Sequence, residues 1–166
     1  MARPKSLPDA DVLREARLLH AAGGMKALTF GNLARATGLA ASTLAQRFTT
    51  VEGLAAAAAR DGWEGLVAAA AVAEAATSDK GPGAYLKALD AGAASVPALL
   101  ELGRSDEGAR LLAADWRNRV ETALVVRLGQ GEKARTAAQA LFAAWQGQVL
   151  WGGAEFRIKD LARRLT

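Results

Sequence analysis

The 166-residue chain is 51% apolar and 23% charged, a balance that suits one compact unit or two small subdomains sharing a core. It has no cysteine and a single histidine, His20, which removes disulfides, thiolate zinc sites, cysteine nucleophiles and histidine-built triads from the functions open to it. The formal charge of +4 is unevenly spread: residues 1–50 hold seven Lys and Arg against three Asp and Glu, while residues 51–166 hold fourteen of each. A basic first third on an otherwise neutral chain fits a phosphate contact at one end, and it fits equally a solvated helix surface.

Met1–Lys5 leads into charged residues with no apolar stretch behind it, so it does not read as a signal peptide. The longest apolar stretch, from Leu66 to Ala73, is far too short to span a bilayer. A cytoplasmic location without a membrane partner is expected.

Alanine is abundant, β-branched residues are sparse, and Pro4, Pro8, Pro82 and Pro97 fall where helices can begin, so the sequence predicts an all-α fold of about nine helices. A first helix is expected over about Asp9 to Ala22, with Asp9 as N-cap, Val12, Ala16, Leu19 and Gly23 along one face, and Gly23-Gly24 as its stop. A short helix follows Thr29, whose hydroxyl suits an N-cap, and ends at Gly38, a residue able to turn left-handed. Ser42 to Phe48 is a second short helical run, which makes the pair a helix-turn-helix candidate. Thr50 is read as the N-cap of a fourth helix, with Glu52 in its first turn, running through Trp63 to about Ala76. The turn formers of Thr77–Gly83 then break the chain. Further helices are expected over about Ala84–Ser95, from Pro97 to near Gly103, Asp106–Leu128, Glu132–Gly152 and Phe156–Leu165.

Within Phe30–Phe48, Leu33 and Ala34 are expected to face inward on the first short helix, Leu39 to plug the turn, and Leu44 and Phe48 to face inward on the second. The small Ala34 and the Cβ-free Gly38 permit a close crossing. Ser42, Thr43, Gln46 and Arg47 then project outward, side chains that hydrogen-bond to base edges and phosphates when such a helix enters the major groove. An ordinary helical hairpin would use similar spacings.

Val12–Ala16, Leu19, Gly24, Leu28-Thr29-Phe30, Leu33-Ala34, Gly38-Leu39, Thr43-Leu44, Phe48 and Glu52-Gly53-Leu54 together resemble the TetR/AcrR family of bacterial repressors, and Ala137–Gly147 is similar to a helix near that family's C-terminus. The resemblance implies a homodimer with a helix-turn-helix DNA-binding domain over residues 1–50. A linking fourth helix and a C-terminal domain for dimerisation and ligand binding would then occupy residues 51–166. It further implies a repressor that leaves its double-stranded operator when an effector swings the fourth helix. DNA contact is accordingly assigned to Arg3 and Lys5 on an N-terminal arm and to Thr29, Ser42, Thr43, Gln46, Arg47 and Thr50.

Departures from the family pattern are chemical ones. Ala40-Ala41 and Ala45 stand where the recognition helix usually carries polar anchors, and Val51 stands where a phosphate-binding Lys is usual. They motivate a second reading, a helical ligand-binding or protein-interaction module with weakened or lost operator binding.

In the C-terminal part, Trp63, Tyr85, Trp116, Phe142 and Trp145, with Asn118 and Gln146 as polar partners, are the candidate contacts for a small hydrophobic effector; the competing expectation is a solid aromatic core. Gly147, Gly152 and Gly153 suggest close packing of the helices near 132–165 against a dimer mate. Paired catalytic carboxylates, metal clusters and phosphate-cradling loops are not recognisable, since Gly129-Gln130-Gly131 lacks a following Lys, so neither an enzyme nor a cofactor is expected.

Overall fold

The structure, a computed structural model, describes residues 7–152 and 157–165. Among these residues it is all helix: α1 (Asp9–Ala27), α2 (Phe30–Thr37), α3 (Ala41–Phe48), α4 (Val51–Ala76), α5 (Pro82–Ala93), α6 (Val96–Leu102), α7 (Glu107–Leu128), α8 (Gly131–Trp151) and α9 (Ile158–Leu165). None of these helices is long and apolar enough to cross a membrane. The chain forms two compact units, one made of residues up to Glu64 with Ala98–Leu111, the other of Gly65–Pro97 with residues from Leu112 onward. The compact division falls inside α4, between Glu64 and Gly65.

The first unit follows the sequence closely. The α1 backbone breaks at the expected place, with Gly23 at φ −151° and Gly24 at φ 64°, ψ −164°. Its N-cap, however, is Pro8 and not Asp9, which sits in the first turn and has its carboxylate engaged elsewhere. Its inward face is also rotated from expectation. Val12, Leu13, Ala16 and His20 are buried, Leu19 is half-buried and Gly23 is exposed. His20 Nε2 lies 3.2 Å from the Glu101 carboxylate.

The helix-turn-helix forms as expected. Thr29 Oγ1 accepts from Asn32 N at 3.1 Å to cap α2, and Gly38 takes the left-handed conformation at φ 73°, ψ 11°, which a Cβ would oppose. Thr37 completes the turn, donating to Leu33 O at 2.7 Å and accepting from Leu39 N at 3.3 Å. Leu33, Leu39 and Leu44 are buried, whereas Ala34 and Phe48 are only half-buried.

Residues 98–111 close this unit against α1 and α4. Leu99 and Leu102 are buried, and Leu99 packs directly on Gly62 of α4. Asp106 caps α7 by accepting from Ala109 N at 2.8 Å and pairs with Arg60 at 2.6 Å. Arg17 of α1 holds Asp61 of α4 at 2.5 Å and the Ala58 carbonyl at 3.2 Å.

The second unit is organised by Arg127. Its guanidinium donates to the carbonyls of Ala123, Glu74 and Thr77 and to the Thr77 hydroxyl, at 2.9–3.3 Å, and lies 4.5 Å from the Tyr85 ring centroid. It thus neutralises the carbonyl-rich C-terminus of α4, where a cation is favoured. Tyr85 is fully buried, and burial, then the Glu74 charge, pushes its phenol pKa up. Trp116, Phe142 and Trp145 meet with ring centroids 5.9–6.3 Å apart, and Trp145 Nε1 donates to Asp90 at 2.7 Å. Helix α9 packs on α5 and α8.

Two stability measurements check this packing. Leu44→Ala, at a fully buried position, should lower unfolding free energy by about 2–5 kcal/mol in urea titration. The Asp106 carboxyl is held below its ordinary pKa, first by the Ala109 N–H and then by Arg60. Its stabilising effect is therefore present above the ordinary carboxylate pKa of about 4 and is lost as pH falls through the lower folded value. Asp106→Asn keeps the cap acceptor but does not titrate, so the stability gap between parent and variant should narrow steadily as pH falls below about 4.

Candidate nucleic-acid interface

The α3 helix carries the outward face that the sequence singled out. Leu44 is fully buried beneath it, while Ser42 and Gln46 are exposed and Thr43 is half-buried. Its N-cap is Ala40, in extended conformation, with no side-chain hydrogen bond to the first turn. The leading N–H groups thus have no capping acceptor, and such groups are ready donors to a phosphate oxygen.

Thr29 and Thr50 are both exposed, and both hydroxyls already accept a backbone N–H: Thr29 from Asn32 at 3.1 Å and Thr50 from Gly53 at 3.0 Å. A hydroxyl that accepts still has its own proton to donate. Each therefore remains a competent phosphate donor while holding its helix end. Arg47 is differently placed. Its Nη1 donates to the Leu7 carbonyl at 2.8 Å and to Asp9 Oδ1 at 3.0 Å, leaving the side chain 26% exposed. Arg3 and Lys5 lie outside the described residues.

The junction from α3 to α4 is built from residues that the sequence reading did not single out. Thr49 has φ 63°, ψ −55°, and Thr50 N donates back to Phe48 O at 2.7 Å, so the chain reverses through a left-handed γ-turn. Thr49 is the sole residue other than glycine with positive φ among the described residues. A β-branched side chain there is strained by about 1–3 kcal/mol. Gly53 makes the tight bend possible: a Cβ on it would stand 2.5 Å from the Phe48 carbonyl oxygen. The Glu52-Gly53-Leu54 string was legible, but the reason for its glycine lies in the folded backbone.

The effector candidates separate. Trp63 is buried in the first unit, whereas Tyr85, Trp116, Phe142 and Trp145 are buried in the second. Gln146 is half-buried beside them in sequence, and its Nε2, like the Tyr85 hydroxyl, has no hydrogen-bond partner. Asn118 does not join the aromatic interior; it is exposed and lines an open groove of about 430 Å³ with Thr122, Arg135 and Gln139. A second groove, about 260 Å³, runs between Gly81–Ala84 and Lys159, Ala162 and Arg163. The Trp116, Phe142 and Trp145 rings line neither groove.

Comparison with known proteins gives a fold and no close relative. No family model matches the sequence, and no curated protein matches it. Among solved structures, the chain is similar to the TetR family transcriptional regulator PfmR from Thermus thermophilus, with 20% identity, TM-score 0.61, and coverage of 92% of this chain and 93% of that one. It is also similar to the ketosteroid transcriptional regulator KstR2 of Mycobacterium tuberculosis, with 14% identity, TM-score 0.57, and coverage of 99% and 94%.

Opposite substitutions test the junction. Thr49→Gly removes the Cβ strain and should leave stability unchanged or raise it by up to about 1 kcal/mol, whereas Gly53→Ala should lower it by about 1–3 kcal/mol. Equal losses from both in chemical denaturation would contradict the strained geometry.

Proposed function

We propose that this all-helical protein, which has the fold of TetR-family regulators, is a homodimeric DNA-binding transcriptional regulator that represses its target and is released by a small hydrophobic effector. One observation carries the DNA-binding part. The α2–Gly38–α3 unit buries Leu33, Leu39 and Leu44 on one side and leaves Ser42, Thr43 and Gln46, with an uncapped helix start, on the other. A helix so arranged presents base-reading side chains at its centre and phosphate donors at its end. The alanines at 40, 41 and 45 thin the set of polar contacts without blocking groove entry, so affinity per half-site is modest and two half-sites are needed.

A face on α8 supports the dimer. Thr136, Ala140, Ala143 and Leu150 are exposed and Gly147 is half-exposed, at alternating spacings of four and three residues, the seam of a coiled-coil-like contact. A Cβ on Gly147 would meet nothing within 4 Å, and Leu150 and Trp151, next along the same helix, are 58% and 85% exposed. Exposed apolar area of this kind marks an association surface.

Effector control rests on unit two. The Tyr85 hydroxyl and Gln146 Nε2 are buried without hydrogen-bond partners, which normally costs about 1–3 kcal/mol each and is relieved when a ligand supplies the missing hydrogen bond. A mostly apolar molecule with one or two polar groups fits that chemistry. The packed Trp116–Phe142–Trp145 rings must then part to admit it, so binding should change their fluorescence.

Two experiments test the proposal. In anisotropy titrations with duplex DNA from upstream of the protein's own gene, Gln46→Ala should weaken binding by about 1–3 kcal/mol with unchanged thermal stability; an equal affinity removes α3 from the interface. Sedimentation at micromolar concentration should give a dimer that Ala143→Glu converts to monomer, with loss of DNA binding. A parent monomer, or a dimeric Ala143→Glu, would overturn the α8 assignment.

A further inference from the structure

Helices α7 and α8 fold back on each other through Gly129 and Gly131, at φ 125° and 83°, so that Trp116 in mid-α7 meets Phe142 and Trp145 late in α8. Between that aromatic contact and the turn, the two helices leave the groove of about 430 Å³. Helical spacing builds its walls. Asn118, Glu121, Thr122 and Val125 stand at i, i+3, i+4 and i+7 on α7, and Arg135 and Gln139 stand at i and i+4 on α8. Arg135 and Gln139 precede Thr136 and Ala140 of the dimer seam by one residue each, roughly 100° round the helix, so the groove lies beside that seam and not on it.

Charge sets what the groove can hold. The Glu121 carboxylate accepts from Arg117 Nε at 2.7 Å, and that guanidinium lies 5.6 Å from the Phe142 ring centroid. The pair neutralises itself. All four arginines of α7, Arg110, Arg117, Arg119 and Arg127, hold a carboxylate or a carbonyl, but Arg135 across the groove has no polar partner among the described residues. The Asn118, Thr122 and Gln139 side chains have none either. One uncompensated guanidinium, two amides and a hydroxyl thus face one space, a set rich in N–H and O–H donors.

That set selects its occupant by chemistry. A guanidinium fork matches the two oxygens of a carboxylate, and amides and hydroxyls match alcohol groups, which both donate and accept. A single cation beside the Glu121 carboxylate suits one negative charge better than the two of a phosphate. We propose that the α7–α8 groove binds a small hydroxylated carboxylate, with its carboxyl group on Arg135, its hydroxyls on Asn118, Thr122 and Gln139, and its carbon chain against Val125. The volume falls within the range of small-molecule sites. This is a polar ligand site, different in chemistry from the apolar effector of the aromatic interior and independent of the DNA-binding reading.

The test is calorimetric titration of the full chain, at constant ionic strength, with sodium D-gluconate and sodium L-lactate as probes. D-glucitol, which has the hydroxyls without the charge, and inorganic phosphate are the comparisons. At least one of the two carboxylates should bind saturably below about 10 mM, and more tightly than either comparison. Arg135→Gln should weaken that binding at least about tenfold, because a charge-assisted pair is lost, and Asn118→Ala or Gln139→Ala about two- to tenfold each. Arg135 is exposed, so its variant should keep the parent's melting temperature. Arg104→Gln removes an exposed arginine outside the groove and should change nothing. Absence of saturable carboxylate binding overturns the proposal, as does a loss in Arg135→Gln no larger than in Arg104→Gln. Phosphate or D-glucitol binding as tightly as the carboxylates overturns it as well, because the fork and the hydroxyl contacts would then not act together.

Discussion

Everything proposed for this protein depends on how α3 is held against the start of α4. Only five residues, Thr49 to Gly53, take the chain from the end of α3 into the first turn of α4, and they leave it no slack. Thr49 reverses the backbone at φ 63°, Thr50 caps α4 through Gly53 N, and Gly53 passes under the Phe48 carbonyl at a distance that no side chain would allow. A strained residue persists only where its surroundings over-determine it. Here the buried Leu44 on one side and the fully buried Leu54 on the other supply that constraint. The orientation of the Ser42–Gln46 face is thus set by α4 and not by α3, which at eight residues is too short to be stable alone.

The same α4 ends on a second fixed point. Thr77 turns its hydroxyl back to Ala73 O at 2.7 Å, and Arg127 gathers the Glu74 and Thr77 carbonyls. Arg119 adds an ion pair to Glu74 at 2.9 Å. Both termini of the helix are therefore held by specific polar groups, one in each compact unit, while the stretch between is mostly alanine, leucine and valine. Tyr85 is buried against the Arg127 guanidinium with its hydroxyl unpaired.

Much of this was legible from residue types, because local rules set it. Thr29 and Thr50 as caps, Gly38 as a left-handed turn and Gly23-Gly24 as a break follow from the hydrogen-bonding and steric properties of single residues, and each lies where expected. What escaped was non-local. The Arg47–Leu7 hydrogen bond joins residues forty apart, and the Arg127 contacts with α4 span fifty or more. Neither pairing has a sequence signature. His20, polar by composition, is 3% exposed and belongs to the core. Asp9 looks like a helix cap in sequence, yet Pro8 takes the cap position and the carboxylate goes to Arg47. Asn118 faces outward because Trp116, two residues earlier, occupies the inward position of α7.

The central claim is that two copies of α3, fixed by the α3–α4 junction, read one face of a duplex. Hydroxyl-radical footprinting of the DNA upstream of the protein's own gene tests it most directly. Two protected blocks on the same face, centred about one helical turn or a whole multiple of it apart, are the expected result, because a dimer of helix-turn-helix units places its recognition helices at that spacing. A single block, or uniform protection no different from that on an unrelated duplex, would contradict it.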